Sequence, residues 1–147
     1  MTLAALLVVQ ERRVDRAVSA LRVCNEQLRR AELERATRQE RWQETELGRR
    51  RELNRHVELT RHSSSAAKLA AAANRLQWWR ARSEEQHKEL VAAKAALLQA
   101  EAEAGRARME YQAAHAKHAG LVKLVDEQRR AQARTRQRIE EQNGVGA

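Results

Sequence analysis

The 147-residue sequence contains no proline and no phenylalanine, and only 3% of its residues are aromatic. Because proline breaks helices, its absence leaves long helices uninterrupted. Aromatic side chains fill compact cores, so their scarcity argues against a globular domain with a buried catalytic cleft. The residues that dominate instead are Ala, Arg, Glu, Gln and Leu, a composition typical of extended helices.

Cysteine and long hydrophobic runs are also scarce. Cys24 is the single cysteine, which excludes an internal disulfide and favours a reducing compartment. It falls on an apolar position of the first predicted helix, so we interpret it as a packing residue rather than a redox residue. The apolar stretch from Leu3 to Val9 is too short to span a bilayer, and no basic residue precedes it. We therefore expect a cytoplasmic protein that is not inserted in a membrane.

Positive charge is in excess, with 29 Lys and Arg residues against 20 Asp and Glu residues and a formal net charge of +9. Most of the basic residues are arginines, whose guanidinium groups bind carboxylates and phosphates through paired hydrogen bonds. An acidic protein surface, nucleic acid and anionic lipid are all compatible with this charge.

A heptad repeat organises the second half of the chain. Its positions are mostly apolar or small, whereas the intervening residues are mainly Arg, Lys, Glu, Gln and Ala. Such a narrow seam is typical of a coiled coil, and it needs a partner because packing supplies most of the stability of a helix in water. The seam residues are Leu76, Trp79, Ser83, Gln86, Leu90, Ala93, Leu97, Ala100, Ala104, Ala107, Tyr111, Ala114, His118, Leu121, Val125, Gln128, Gln132, Thr135 and Ile139.

The first half carries a similar seam from Leu3 to Ala31. Beyond Ala31 the strict repeat falls on Arg35 and Arg38 before it recovers at Trp42, so we expect the heptad register to be lost there. A shift toward an eleven-residue spacing, or a stutter, would account for a looser stripe that continues to about Arg61. The residues of this looser stripe are Leu47, Leu53, Val57 and Leu59.

Three consecutive serines, Ser63 to Ser65, form the strongest break between the two periodic segments. Serine hydroxyls bond to nearby backbone, so Ser64 or Ser65 can cap the following helix, as Thr2 can cap the first. The predicted fold class is all-α, a long antiparallel two-helix coiled-coil hairpin with the C-terminal helix overhanging. The predicted elements of this single domain (1–147) are helix 1 at about 2–61, a turn at about 62–66, helix 2 at about 66–142 and a frayed tail at 143–147.

A turn near Ser64 sets side by side those residues whose numbers add up to about 128. Large residues of helix 1 then face alanines of helix 2, which lets the two backbones approach closely. This complementarity favours an antiparallel hairpin over a parallel dimer. The predicted neighbours are Leu7 with Leu121, Val14 with Ala114, Leu21 with Ala107, and Leu28 with Ala100.

Helix 2 is the longer helix, at about 115 Å against about 90 Å for helix 1, so from about Asp126 it has no partner. The overhanging end and the start of helix 1 are rich in arginine. These arginines form either a solvated charged face or a docking end for an acidic socket or a phosphate backbone. The candidate docking residues are Arg12, Arg13, Arg16, Arg129, Arg130, Arg134, Arg136 and Arg138.

Two adjacent tryptophans follow the turn. Trp79 lies on the seam, whereas Trp78 lies one position round the helix, beside Arg75 and Arg82, and should be partly exposed. Packing near the turn is one interpretation of this pair. A partner-binding patch is the other, because Trp and Arg are frequent interface anchors.

The sequence contains no glycine-rich phosphate loop, no nucleophile elbow and no His-Glu-x-x-His motif. His115 and His118 are three residues apart, but no acid or cysteine completes a metal-binding set, and a polar residue on the seam more often fixes register. Carboxylates alternate with arginines at helical spacing, as in surface ion pairs. We therefore expect no enzymatic activity, no cofactor and no metal.

The sequence resembles the YscO/FliJ family, the small stalk proteins of type III secretion and flagellar export, over most of its length. The resemblance implies a stalk or adaptor that is cytoplasmic and peripheral to the export apparatus at the inner membrane. It also implies that the terminal end inserts into the secretion ATPase ring and promotes its assembly and hydrolysis, while another face meets the export gate or secretion chaperones. The supporting features are the total length, residues 21–28 (Leu-Arg-Val-Cys-Asn-Glu-Gln-Leu), Glu85-Gln86-His87, Lys117, Leu121, Leu124 and Arg129.

By the same resemblance, the gate-contacting face lies early in helix 2 and maps to Leu76, Arg80, Ser83 and His87. His87 is identical to the family residue and Leu76 is conservative, whereas Arg80 replaces an apolar residue, for which Trp79 is a candidate substitute. The full candidate export-gate or partner patch is Leu76, Trp78, Trp79, Arg80, Ser83 and His87.

Two alternative functions remain open from the residues alone. The first is a basic coiled coil that binds nucleic acid, which is disfavoured because acidic residues are interspersed and no basic region forks from a parallel zipper. The second is a structural scaffold, including a homodimer in which the serine segment is continuous helix. The antiparallel hairpin predicts a monomer. Some weak self-association is also expected, because the overhanging end exposes the seam residues from Val125 to Ile139.

Overall fold

The computed structural model describes residues 2–62 and 64–145. These residues form two helices, α1 (Leu3–Arg61) and α2 (Ala66–Val145), and contain no strand. The two helices pack against each other as an antiparallel hairpin. The predicted all-α hairpin is therefore confirmed.

Hydroxyl side chains cap the start of each helix. The Thr2 Oγ1 atom accepts a hydrogen bond from the backbone N–H of Ala5 at 3.1 Å. The Ser65 Oγ atom accepts one from the backbone N–H of Lys68 at 3.3 Å. Each cap satisfies a backbone donor that has no partner within its own helix, which is why the helices begin at these points.

Backbone hydrogen bonds close the last turn of α1. The N–H of His62 donates to the carbonyl of Glu58 at 3.1 Å, and the N–H of Ser64 donates to the carbonyl of Leu59 at 3.3 Å. The bond from Ser64 to Leu59 spans five residues, and it pairs a carbonyl that has no partner within the helix. The predicted turn also includes Ser63, which lies outside the described residues.

The end of α2 differs from the prediction. The helix continues through Asn143 and Gly144 to Val145, three residues beyond the expected end at 142. A single glycine costs a helix about 1 kcal/mol relative to alanine, and without a following proline it need not end the helix. The rest of the predicted tail, Gly146 and Ala147, lies outside the described residues.

Backbone contacts divide the chain into two compact units. Unit 1 combines Met1–Asn25 with Glu103–Ala147, and unit 2 comprises Glu26–Ala102. Each unit therefore contains one segment of α1 packed against one segment of α2.

The seam of α2 follows the predicted heptads. All predicted seam residues from Leu76 to Val125 are buried or half-buried, and Ala72, which is fully buried, extends the seam towards the turn. The last four predicted seam residues are exposed, because α1 supplies nothing for them to pack against. These exposed residues are Gln128, Gln132, Thr135 and Ile139.

The prediction that α1 loses its heptad register after Ala31 is wrong. Arg35 and Arg38 are half-buried, and the strict repeat of three and four continues to the end of the helix. Of the four residues expected on a shifted stripe, Leu47 and Val57 are exposed at 51% and 40%, whereas Leu53 and Leu59 are half-buried. Three polar residues of the strict repeat, Arg38, Thr45 and Glu52, hydrogen-bond across the hairpin. The continuing seam residues are Arg35, Arg38, Trp42, Thr45, Arg49, Glu52, His56 and Leu59.

Cross-helix contacts confirm the predicted pairing. The polar partners have residue numbers that add up to between 124 and 131, close to the expected value. In unit 1, Gln10 Nε2 donates to the carbonyl of Ala114 at 2.9 Å, and His118 Nε2 lies 3.7 Å from a carboxylate oxygen of Glu11. In unit 2, the pairs are Arg38 with Glu89 and Arg75 with Glu52, each at 2.7 Å.

Small residues line much of the α2 seam. Ala104 and Ala107 are buried in unit 1, and Ala93 and Ala100 are buried in unit 2. The bulky α1 residues predicted to face alanines are half-buried, as is the free Cys24 on the same seam. Cys24 is therefore a seam residue, as the sequence predicts.

Candidate protein-interaction surfaces

The eight predicted docking arginines all belong to unit 1 and are all exposed. We call them the basic end; they are Arg12, Arg13, Arg16, Arg129, Arg130, Arg134, Arg136 and Arg138. No residue of the basic end makes an ion pair with any other residue that the structure describes. Their guanidinium groups are therefore available to an external anion.

The α2 part of the basic end lies on an uncovered helix. Val125 is the last buried residue, and every described residue from Asp126 to Val145 is exposed. Between Arg129 and Arg138 there are five arginines and no acidic residue. Acidic residues occur only on either side of this segment, at 126–127 and 140–141, so positive charge is concentrated in its middle.

Apolar side chains are exposed in the same unit. Leu6, Val8 and Leu124 are exposed at 37%, 47% and 50%, and Ile139 at 51%. Scattered exposed aliphatic residues are common on helices, so these residues supply contact area beside the arginines rather than a site by themselves.

The seam of unit 2 contains charged pairs that are partly buried. Arg38 donates to Glu34 on its own helix and to Glu89 on α2, both at 2.7 Å. The hydrogen bond to Glu34 and the charge of Glu89 raise the pKa of the Arg38 guanidinium. Glu52, whose side chain is 11% exposed, accepts a hydrogen bond from Arg75 at 2.7 Å.

Two further polar contacts cross the hairpin beside these pairs. The Ser83 hydroxyl donates to Glu46, and the Thr45 hydroxyl donates to the Gln86 side-chain carbonyl. Glu46 also accepts from Arg49, 3.0 Å away. The hydrogen bond from Arg49, followed by that from Ser83, lowers the pKa of the Glu46 carboxyl. These cross-helix contacts fix which residues of the two helices face each other. The seam is not fully satisfied, because the buried Nδ1 atom of His56 has no hydrogen-bond partner among the described residues.

The tryptophans of unit 2 are held by their neighbours. The Trp79 indole lies against the backbone of α1 at Gly48. The Trp78 ring meets the Trp79 ring edge to face, with ring centroids 4.9 Å apart and an interplanar angle of 83°. Trp78 nevertheless keeps 56% of its surface exposed. The two interpretations of this pair therefore apply to different residues: Trp79 packs near the turn, and Trp78 is available to a partner.

The candidate partner patch is not one continuous surface. Leu76 and Ser83 are buried on the seam, at 6% and 7% exposure, and Trp79 is half-buried. Arg80 and His87 are exposed, and the His87 ring packs on Trp42 with centroids 5.5 Å apart. Seam burial separates these two residues from Trp78, which lies on the other flank of the α2 seam.

A shallow groove surrounds Trp78, and we call it the Trp78 groove. The sequence indicated Trp78, Trp79 and Arg82, but not the α1 residues that complete the groove. The pairing rule, by which residues whose numbers add up to about 128 lie side by side, sets residues 42–50 of α1 opposite residues 78–86 of α2. It would have indicated Glu44 and Thr45 but not Arg41. The groove is lined by Arg41, Glu44, Thr45, Trp78, Trp79, Arg82 and Gln86.

Histidines do not form a metal site in the part of the chain that the structure describes. No group of three His, Cys, Asp or Glu side chains in residues 2–62 and 64–145 has a geometry that would hold a metal ion. His115 packs on Tyr111 with ring centroids 5.8 Å apart, and His118 lies on the seam near Glu11. Charged and aromatic side chains are exposed on the helical hairpin.

Comparison with protein-family models, with curated proteins and with solved structures found no match. Neither described helix contains a stretch that is both long and apolar enough to cross a membrane.

Proposed function

We propose that this protein is a non-enzymatic stalk or adaptor of a bacterial type III secretion or flagellar export apparatus, and that its basic end docks on the secretion ATPase ring. One observation carries the proposal. The α2 segment from Asp126 to Val145 is uncovered and presents five arginines, none of which has an ion-pair partner among the described residues. A helix with this charge suits an acidic, concave protein surface.

The choice of an acidic protein surface follows from the chemistry of arginine. A guanidinium group pairs with a carboxylate through two parallel hydrogen bonds, which provides orientation as well as attraction. Exposed aliphatic residues of the same unit, such as Leu124 and Ile139, supply apolar contact beside those ion pairs. In this role the protein regulates the ATPase and takes part in protein transport without catalysing a reaction.

The second part of the proposal concerns the exposed residues Arg80 and His87 in unit 2. They are the members of the sequence-predicted gate patch that lie together on one accessible flank of α2. We assign contact with the export gate, and contact with secretion chaperones, to this flank. The protein would then act at the cytoplasmic side of the inner membrane, peripheral to the apparatus.

The test begins with affinity purification from the source cells, which identifies whether an ATPase is retained. The ATPase activity is then measured with the wild-type protein and with the triple variant Arg129→Glu, Arg130→Glu and Arg134→Glu. We expect stimulation by the wild type and loss of stimulation by the variant, with unchanged helicity by circular dichroism, because the altered residues are exposed.

A charge-matched control uses three exposed arginines of unit 2, in the variant Arg51→Glu, Arg55→Glu and Arg61→Glu. This control should stimulate like the wild type. If stimulation survives charge reversal in the basic end, the docking assignment is contradicted. It is also contradicted if the control variant loses stimulation equally.

Nucleic-acid binding is the main alternative for the same arginines. It predicts retention on duplex DNA at physiological ionic strength and an affinity that falls steeply with added salt. Fluorescence anisotropy with labelled duplex DNA at two salt concentrations distinguishes the alternatives. A purely structural scaffold predicts that neither the ATPase nor the DNA responds to the protein.

A further inference from the structure

We propose that the Trp78 groove in unit 2 binds an acidic peptide segment that carries an apolar anchor residue. The groove combines an exposed, fixed aromatic ring with two unpaired arginines, one from each helix: Trp78, Arg41 and Arg82. This proposal goes beyond the proposed function, since it concerns a different unit of the protein and requires neither the basic end nor an ATPase.

Trp78 has the properties of a preorganised anchor. Its ring is 56% exposed, which is a large apolar area to leave in water. Its edge-to-face contact with Trp79 limits its rotation, and Trp79 is itself held between the helices against Gly48. A ring that is already fixed loses little conformational freedom on binding, so more of its contact energy remains as affinity.

Some arginines of unit 2 are paired with carboxylates, whereas the two arginines of the groove are not paired with any described residue. Arg38, Arg49 and Arg75 each pair with a carboxylate within 3.0 Å. Arg41 and Arg82 make no ion pair with any described residue, although both are exposed beside Trp78. The groove thus has one unpaired cation on each helix, and this pair is complementary to carboxylates spaced along a ligand.

Glu44 distinguishes a peptide from a nucleic acid as the ligand. Its carboxylate lines the same groove and makes no ion pair among the described residues. A peptide backbone offers N–H donors to a carboxylate, whereas a phosphodiester backbone offers none and is repelled by it. An acidic peptide thus satisfies both charge types in the groove. Its apolar residue covers the exposed face of Trp78.

The binding experiment uses a synthetic peptide, Glu-Asp-Leu-Leu-Glu-Asp, and its neutral counterpart, Gln-Asn-Leu-Leu-Gln-Asn. The protein is labelled with 5-fluorotryptophan, and the fluorine resonances are assigned with Trp→Phe variants at 42, 78 and 79. We expect the acidic peptide to shift the Trp78 resonance saturably and the neutral peptide to leave it unchanged. If the acidic peptide produces no saturable shift of that resonance, the proposal is overturned.

Variants are compared by anisotropy with a fluorescein-labelled acidic peptide. Trp78→Ala, and separately the double variant Arg41→Glu with Arg82→Glu, should each weaken binding at least about tenfold, equivalent to about 1.4 kcal/mol. The double variant keeps the aromatic pair, so it tests the groove even if Trp78→Ala alters the packing of Trp79. The charge-matched control, Arg51→Glu with Arg55→Glu, should bind within about twofold of the wild type.

Equal weakening in the control and in the groove variant would show that general charge attraction accounts for binding, and it would overturn the proposal. A ten-nucleotide single-stranded DNA is titrated in parallel. If this DNA shifts the Trp78 resonance at lower concentration than the acidic peptide does, the groove recognises nucleic acid instead. The basic-end variant of the export test should bind the peptide normally, so failure of that proposal and failure of this one are distinguishable.

Discussion

The indole of Trp79 lies so close to Gly48 that a Cβ atom at residue 48 would be 2.5 Å from two of the ring carbons, Cη2 and Cζ3. Glycine in a helix interior normally destabilises the helix relative to alanine. At Gly48 the missing side chain instead makes room for the tryptophan. The contact explains why a helix-disfavouring residue lies in the middle of α1.

The first prediction concerns whether a Gly→Ala substitution lowers or raises the free energy of unfolding. Gly48→Ala should lower the free energy of unfolding by about 1–3 kcal/mol, because the new methyl group displaces a packed indole. Gly105→Ala and Gly120→Ala should raise it by about 0.5–1 kcal/mol, because a Cβ at either residue meets nothing within 4 Å. Urea denaturation followed by circular dichroism measures all three values.

A double variant tests the cause of the Gly48 effect. Gly48→Ala combined with Trp79→Leu should lose less stability than the two single effects together, with a coupling energy of about 0.5–3 kcal/mol. If the effects of the two substitutions are additive, or if Gly48→Ala stabilises the protein as the other two do, the indole does not determine the residue at 48.

The second prediction concerns the ion pair between Glu52 and Arg75. Arg75→Met should cost about 1–3 kcal/mol, because it leaves the nearly buried Glu52 carboxylate without its partner. Replacing both residues, as Glu52→Leu with Arg75→Met, should restore the stability of the wild type or exceed it, since an apolar pair avoids the desolvation of the Glu52 carboxylate. Thermal and urea unfolding of the three proteins measure the effect.

The exposed pair Arg30 and Glu26 provides the control for this cycle. Its side chains are 75% and 62% exposed, so Arg30→Met should change the free energy of unfolding by less than about 0.5 kcal/mol. If Arg30→Met and Arg75→Met lower the free energy of unfolding equally, the burial of Glu52 does not account for the effect of Arg75→Met.

The third prediction concerns pH. Hydrogen bonds from Arg49 and Ser83 hold the pKa of Glu46 below its ordinary value of 4.5 in the folded protein. Between the folded and the ordinary pKa the unfolded chain binds more protons, so stability rises with pH in that interval. The contribution of Glu46 is therefore present above pH 4.5 and is lost as the pH falls through the folded pKa.

Glu46→Gln should remove this contribution. The difference in unfolding free energy between wild type and variant should be largest above pH 4.5 and should shrink on acidification. Glu127→Gln, at an exposed position, controls for the loss of one negative charge. A difference between wild type and Glu46→Gln that stays constant with pH contradicts the assignment.

The fourth prediction concerns the point at which α2 loses its partner. Val125→Ala should cost about 1–2 kcal/mol, because Val125 is buried against α1, whereas Ile139→Ala should cost less than about 0.5 kcal/mol because Ile139 is 51% exposed. Urea denaturation of the two variants makes the comparison. Equal losses would show that the segment after Val125 is packed against a partner, as in a self-associated form, which sedimentation would then detect.

The α2 seam and the pairing of the helices were predictable because apolar and small residues recur at strict heptad spacing from Leu76 to Val125. The break at Ser63–Ser65 then fixed the register by arithmetic alone. The Ser65 cap was predictable for a similar reason, since serine is favoured where a helix begins.

The α1 register after Ala31 was not predictable from hydrophobicity, because Arg38 and Glu52 are polar seam residues. Their burial is tolerated only because Glu89 and Arg75 lie opposite, and that information belongs to the other helix. An uninterrupted heptad, together with the rule that facing residues have numbers adding up to about 128, would have matched Arg38 with Glu89 and Glu52 with Arg75. The role of Gly48 was hidden in the same way, since it depends on a ring 31 residues further along the chain.

The alanine positions of the α2 seam are interchangeable with one another, whereas the polar contacts of unit 2 are not. Sliding one helix by seven residues would exchange one alanine for the next, as at Ala93 and Ala100, but it would leave Arg38, Glu52 and Arg75 facing the wrong side chains. The contacts that forbid a slipped alignment are therefore those of unit 2, where the fit of Trp79 against Gly48 acts together with the charged pairs. Matched seven-residue insertions in α1 and α2 outside those contacts should lengthen the hairpin without changing which charged residues meet.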